Sequence, residues 1–184
     1  MDVQLTTQVQ AARAGGQEAW DTLLRSYQLP LFTYVCNLVG ERQGSLDLVQ
    51  DTFLNAVRHI GSLRDDAKFG PWLFGIARQN CIRHWRRAGY ENVIFDRTDE
   101  PSADPPAPDR DDPAAWLVRR ECEEAFATAL AGLPAAHREV VVLHCLEEFP
   151  LDEIAEIAAV PVGTVKSRLH HARLKLRALM EDHL

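Results

Sequence analysis

From Gln17 to Leu38 the apolar residues Trp20, Leu23, Leu24, Tyr27, Leu31, Tyr34, Val35 and Leu38 recur at spacings of three and four. That is the repeat of a helix with one buried face, and Pro30 marks an expected bend. A second helix is predicted from Ser45, an N-cap followed by Asp47 in the first turn, to Gly61. Leu46, Val49, Phe53, Val57 and Ile60 form its apolar stripe, and Asp47, Asp51, Asn55 and Arg58 face the other way with Leu48 among them. The polar loop SLRDDAKFG leads to a third helix, from Pro71 at a favourable first position to about Arg87, before Gly89. Four further helices are predicted over Ala114–Ala131, Ala135–Glu147, Leu151–Ala158 and Val162–Met180. Period-two alternation hardly appears, and the β-branched run Val140–Val142 sits within a helical pattern, so the expected fold is all-α.

The helical pattern stops between the third and fourth helices. Asp99 to Pro113 reads DEPSADPPAPDRDDP, five prolines and five aspartates with almost nothing that could enter a core. Two small helical domains are therefore expected, over 1–91 and 114–184, joined by an acidic Pro-rich linker over 92–113. At ~3 Å per residue such a linker can hold its neighbours tens of ångströms apart. The 46% hydrophobic and 26% charged composition suits a soluble globular chain of 184 residues, and no stretch approaches the length of a membrane span. Without an apolar N-terminal block, and with four scattered cysteines that form no Cys-x-x-Cys pair, a cytoplasmic protein with free thiols is expected.

The net charge of −7 argues at first against a polyanionic partner, but it is unevenly spread. Residues 1–90 carry +2, residues 91–124 carry −7 and residues 125–184 carry −2. Neither 68–90 nor 161–180 contains an acid, while Lys68, Arg78, Arg83, Arg86 and Arg87 fall in the first stretch and Lys166, Arg168, Arg173, Lys175 and Arg177 in the second. Two cationic surfaces on one anionic connector suggest two contacts with one polyanion, masked by the connector until the domains are drawn apart. Solvated helix faces are the plainer explanation of such runs.

From Leu151 onward a short helix, a turn of small residues and a longer basic helix make a helix-turn-helix pattern. Val165, Leu169, Ala172, Leu176 and Leu179 share one side of the second helix, with Lys166, Ser167, His170 and His171 on the other. The apolar side can dock on Ile154, Ala155 and Ile157, with Gly163 allowing a close approach, while the polar side enters a major groove and Arg173 and Lys175 hold phosphates. The third helix repeats the scheme for separated strands. Leu73, Ala77, Cys81 and Trp85 suit burial, and Trp72, Asn80, Arg83, Arg86 and Arg87 offer an aromatic, an amide and a cationic ladder. Trp72 fits a core position equally well.

The blocks DLVQDTFLNAV, FGPWLFGIARQNCIRHWRR and LPAAHREVVVLHCLEEFPLDEIAEIAAVPVGTVKSRLHHARLKLRALM, in this order, resemble bacterial RNA polymerase sigma factors of the extracytoplasmic-function (ECF, group IV) family. The resemblance implies a promoter-recognition subunit without catalysis, cofactor or metal, whose first domain resembles region 2 and second domain region 4. It implies that Asp47, Leu48, Gln50, Asp51 and Leu54 dock on the clamp coiled coil of core polymerase, with the flap as a further contact. The loop Arg64–Gly70, including Lys68 and Phe69, together with Asn80, would hold a flipped base of the downstream (−10) element, with Trp72 also at the DNA and Arg83, Arg86 and Arg87 on phosphates. Thr164, Lys166, Ser167, Arg168, His170, His171 and Arg173 would read or clamp the upstream (−35) duplex. An anti-sigma factor is the implied regulator, and no membrane insertion is expected.

His171 stands where the family commonly has arginine and Pro161 where a serine cap is common, so promoter preference does not transfer from relatives. Cys81 and His84, three apart on a helix, suit packing better than a metal site. Only a few residues follow the last helix, so no appended regulatory domain is expected. Two other readings stand beside this one: an autonomous helix-turn-helix regulator that binds duplex DNA alone, and a thiol- or histidine-based enzyme. The second finds no nucleophile–base constellation or phosphate-binding Gly loop.

Overall fold

The computed structural model describes residues 3–89 and 120–181 of the chain. The acidic linker expected over 92–113, and the beginning of the helix expected from Ala114, lie outside them. The chain divides into two compact units, Met1–Glu91 and Asn92–Leu184. Among the described residues every regular element is helical, as expected for an all-α fold.

The first unit holds α1 (Val3–Arg13), α2 (Gln17–Val39), α3 (Arg42–His59) and α4 (Phe69–Arg87). Helix α1 had no counterpart in the sequence reading, yet its Val9 and Ala12 are fully buried and it packs against α2. The turn between them is tight. Gly15 takes the left-handed φ of +89°, and a Cβ on Gly16 would lie 2.9 Å from the Ala11 carbonyl oxygen, so both positions suit glycine. Helix α2 runs through Pro30 to a left-handed Gly40 cap.

Helix α3 starts at Arg42, three residues before the expected cap. Ser45 is buried inside the helix, where its hydroxyl donates back to the Glu41 carbonyl. The stripe is also rotated from the expected one: Leu48, Val49, Thr52, Phe53 and Ala56 face inward, and Leu46 and Val57 are exposed. A 3₁₀ turn over Ile60–Ser62 and another over Asp66–Lys68 bracket the loop into α4. Phe69 opens α4 from the centre of an aromatic cluster, with ring centroids 5.4 Å from Tyr27, 5.9 Å from Trp72 and 6.5 Å from Trp20.

The second unit holds α5 (Arg120–Ala131), α6 (Ala135–Val141), α7 (Leu151–Ala158) and α8 (Val162–Glu181). The helix expected to run from Ala135 to Glu147 ends instead in a π-helical turn over Val142–Leu146, with the Glu147 amide donating to the Val142 carbonyl five residues back. Helix α8 is the spine, packed against α5, α6 and α7 through Val165, Leu169, Ala172 and Leu176.

Helix α7 closes in a Schellman arrangement, in which the Val160 amide donates to the Ala155 carbonyl at 3.1 Å. Ala159 holds the left-handed position that glycine usually takes, at φ 53°. The Pro161 carbonyl then accepts from the Thr164 and Val165 amides and starts α8. A Cβ on Gly163 would meet open space, so the turn is not closed by a near approach at that residue.

Candidate nucleic-acid interface

Two exposed basic surfaces emerge, one per unit. On α4, Arg83, Arg86 and Arg87 are exposed in the last turns, where cations also complement the helix C-terminus. Arg64 is exposed in the preceding loop, and Lys68 and Trp72 are half-buried beside it. On α8, Lys166, His170, His171 and Arg173 are exposed, with Thr164 and Ser167 half-buried along the same helix. The Ser167 hydroxyl lies 3.5 Å from His171 Nδ1, and the His171 ring is 5.7 Å from that of His170 and 6.2 Å from that of His137 on α6.

Four residues expected at an interface are interior. Phe69 is fully buried in the aromatic cluster, and Leu48 joins the core between helices. Arg168 is 1% exposed: it lies three residues after Val165 and four before Ala172, at the edge of the apolar stripe, and is drawn in with it. Glu139, on the packed helix α6, is 0% exposed, so the described residues of this unit bury one charge of each sign. Asn80 is buried as well, because it sits seven residues after Leu73, on the same stripe.

The Asn80 side chain makes three hydrogen bonds. Its Nδ2 donates to Thr52 Oγ1 on α3 at 2.9 Å, and the Thr52 hydroxyl in turn donates to the Leu48 carbonyl at 2.7 Å. Its Oδ1 accepts from Asn55 Nδ2 at 3.3 Å and from the Arg83 guanidinium. Asn80 therefore ties α3 to α4 and holds Arg83 near the seam. Arg78, counted in the basic stretch, is buried too.

Helix α3 carries a third surface. Asp47, Gln50, Asp51 and Leu54 are exposed, and Leu46 and Val57, which the pattern assigned to the core, stand on the same face beside Leu54, each about half-exposed (45%, 51% and 47%). The positions 46, 50, 54 and 57 follow one helical stripe, so Leu46, Leu54 and Val57, with Gln50 among them, form an exposed strip bordered by the Asp47 and Asp51 carboxylates.

Among the described residues of the second unit, burial perturbs three groups. It pushes the half-buried Glu147 carboxyl, at the end of the π-turn, up to about 7, and holds the Arg138 guanidinium below its usual value. It also raises the Cys145 thiol, against the opposing pull of Arg173. Among the described residues, no group of three or more His, Cys, Asp or Glu side chains could hold a metal ion, Cys36, Cys81 and Cys145 are free thiols, and no helix is long and apolar enough to cross a membrane.

Residues 23–90 match the family model for sigma-70 region 2, and residues 123–176 match that for sigma-70 region 4. The chain is 33% identical over 175 residues to the ECF RNA polymerase sigma factor SigL of Mycobacterium tuberculosis, covering 95% of this chain and 96% of that one. It is 31% identical over 175 residues to the RNA polymerase sigma factor CarQ of Myxococcus xanthus, covering 92% and 94% respectively. Among solved structures it resembles CnrH in complex with the cytosolic domain of CnrY, with a TM-score of 0.70, 25% identity and 97% of both chains covered. It also resembles the sigma factor RpoE in complex with the anti-sigma factor NepR from Bartonella quintana, with a TM-score of 0.66, 26% identity, and 88% of this chain and 96% of that one covered.

Proposed function

The chain belongs to the extracytoplasmic-function family of RNA polymerase sigma factors, and from that membership we propose how its surfaces divide the work of initiation. It is a promoter-directing subunit and has no reaction of its own. The first unit, over 1–91, binds core polymerase through α3 and the downstream promoter element through α4 and the Arg64–Gly70 loop. Within the second unit, the segment 114–184 binds the upstream element through α8, and the acidic segment 92–113 connects it to the first.

The observation that carries this reading is the separation of signs. Arg83, Arg86 and Arg87 in one unit and Lys166 and Arg173 in the other are exposed cations on helices whose stretches 68–90 and 161–180 contain no acid, whereas α3 shows Asp47 and Asp51 beside Leu46, Leu54 and Val57. A phosphate backbone selects the former surfaces. A basic helix with an apolar ridge, the chemistry expected of the clamp coiled coil, selects the latter. In the duplex-reading unit the N-terminal part of α8 enters the major groove, with Thr164, Lys166, Ser167, His170 and His171 directed to bases and Arg173 to phosphate. In the melted-strand unit Arg64, Lys68 and Trp72 surround the unstacked base and Arg83, Arg86 and Arg87 follow its backbone.

The protein works in the cytoplasm and is held in check by an anti-sigma partner. The second point is supported by the resemblance to CnrH and RpoE, whose structures contain CnrY and NepR. Run-off transcription from a randomised promoter library, with core polymerase and with or without this protein, tests the central reading. Enrichment of a two-part motif only when the protein is present is the expected result. A gel shift showing sequence-specific duplex binding by the protein alone, with no effect on polymerase, would favour an autonomous helix-turn-helix regulator instead.

A further inference from the structure

Helix α1 ends at the loop that joins α3 to α4. Arg13, its last residue, directs Nη2 to the Leu63 carbonyl at 2.7 Å and to Asp66 Oδ1 at 2.6 Å, so one guanidinium nitrogen bridges two acceptors three residues apart in the chain. Arg64 and Asp65, between those acceptors, are exposed.

The far side of the loop is fixed locally, since Asp65 Oδ1 accepts from the Ala67 amide at 3.0 Å and the Lys68 amide donates to the Asp65 carbonyl. The Asp66 side chain is 13% exposed and that of Arg13 is 36% exposed, so the carboxylate side of the ion pair is the better shielded from the screening that weakens surface pairs. The glycine turn over Gly15 and Gly16 anchors α1 immediately after Arg13. The loop is thus held from outside by a side chain some fifty residues earlier in the chain.

We propose that Arg13 is a positioning residue for reading of the melted promoter strand: it sets the shape of the Arg64–Gly70 loop, and with it the choice of base at the downstream element, without touching DNA. This rests on the assignment of that loop to the melted strand. Arg13 does two separable things. It fixes the loop backbone through the Leu63 carbonyl, and it neutralises Asp66, whose free carboxylate would repel a phosphate backbone.

The test uses holoenzyme assembled from core polymerase and the full chain, with promoter probes whose downstream segment is left unpaired, in the preferred sequence and in single-base substitutions of it. Arg13→Ala is expected to reduce the preference for the correct base roughly tenfold, the scale of losing one charge-assisted contact, with binding of an upstream duplex probe unchanged. Arg13→Lys, which keeps the charge but not the guanidinium fork, is expected to fall between. The double variant Arg13→Ala/Asp66→Asn removes the carboxylate that Arg13→Ala leaves without its guanidinium and is expected to remain impaired.

Unchanged base preference in Arg13→Ala, or full recovery in the double variant, overturns the proposal, the latter because charge balance alone would then account for the effect. If Arg13→Ala does not fold, Arg13→Lys carries the same comparison. Wild-type holoenzyme that shows no base preference on the unpaired segment overturns the loop assignment itself, and the inference falls with it.

Discussion

The two units bury polarity differently. In the first, the buried polar groups are mostly neutral with Arg78 the charged one among the described residues, and Thr52 and Asn80 form a hydrogen-bonded chain between α3 and α4 that also engages Asn55 and Arg83. In the second, the buried polar groups among the described residues are both charged, Glu139 on α6 and Arg168 on α8. The contrast suits the division of labour proposed above. An unstacked strand would require an irregular surface, such as the loop that the first unit braces from several elements. A duplex groove would require a straight, rigidly held helix, and buried charges on packed helices strongly disfavour slippage. Neutral networks tolerate small adjustments, whereas buried charges act closer to all-or-none.

The largest expected effect comes from the charged interior. Arg168→Ala removes a guanidinium side chain that is 1% exposed and leaves its volume empty between packed helices. Thermal melts should show a loss of ~2–5 kcal/mol, with hydrogen exchange rising in α6 and α8 and not in α1–α4. A near-neutral result would mean that this interior behaves as a plain apolar core, and the contrast would collapse.

Next in size, Asn80→Ala should cost ~1–3 kcal/mol by stripping Thr52 and Arg83 of their partner. It should also weaken downstream-element binding more than upstream-element binding, measured on separate probes.

A smaller effect is visible only against pH. Burial raises Glu147 to about 7 from an ordinary value of 4.5, so in that window the folded state keeps a proton the unfolded chain has lost. Stability therefore falls as pH rises from about 4.5 to about 7, by an amount that its partial exposure to solvent reduces. Glu147→Gln should flatten this slope in denaturant titrations run across the window, and the neutral network of the first unit should contribute none of it.

The smallest change is a gain. Ala159→Gly relieves the left-handed strain at the end of α7, offset in part by the greater freedom of glycine in the unfolded chain, for a net stabilisation of about 0.5–1 kcal/mol. Chemical denaturation resolves a change of that size.

Helix periodicity made most of the fold legible. Wherever a strong apolar stripe was present, as in α2, α4 and α8, the sequence pattern located the helix to within a few residues. It failed at α1, whose inward residues Val9 and Ala12 are too few to make a stripe, although the Ala-Gly-Gly that follows Arg13 is a helix-end signal. It also misjudged side chains by type. Arg168 and Asn80 read as surface residues because they are polar, yet their spacing from Val165 and Leu73 put them beside the buried stripes, where position outweighed polarity. The exposed cations of α4 and α8 were readable because nothing in their registers conflicts with solvent. The loop bracing by Arg13 was not, because it joins residues that only the folded chain brings together.

The π-turn over Val142–Leu146 has a geometric consequence for the length of this chain. A π-turn carries roughly one more residue than an α-turn, so it acts as a phase shifter: it advances the chain by one residue, about 100° of helical rotation, before the helix-turn-helix begins. Deleting a single residue there would leave a regular helix of good local geometry, yet it would turn the exit toward α7 and re-aim α8. In this unit the direction of the reading helix is encoded by a count of residues as much as by their identities.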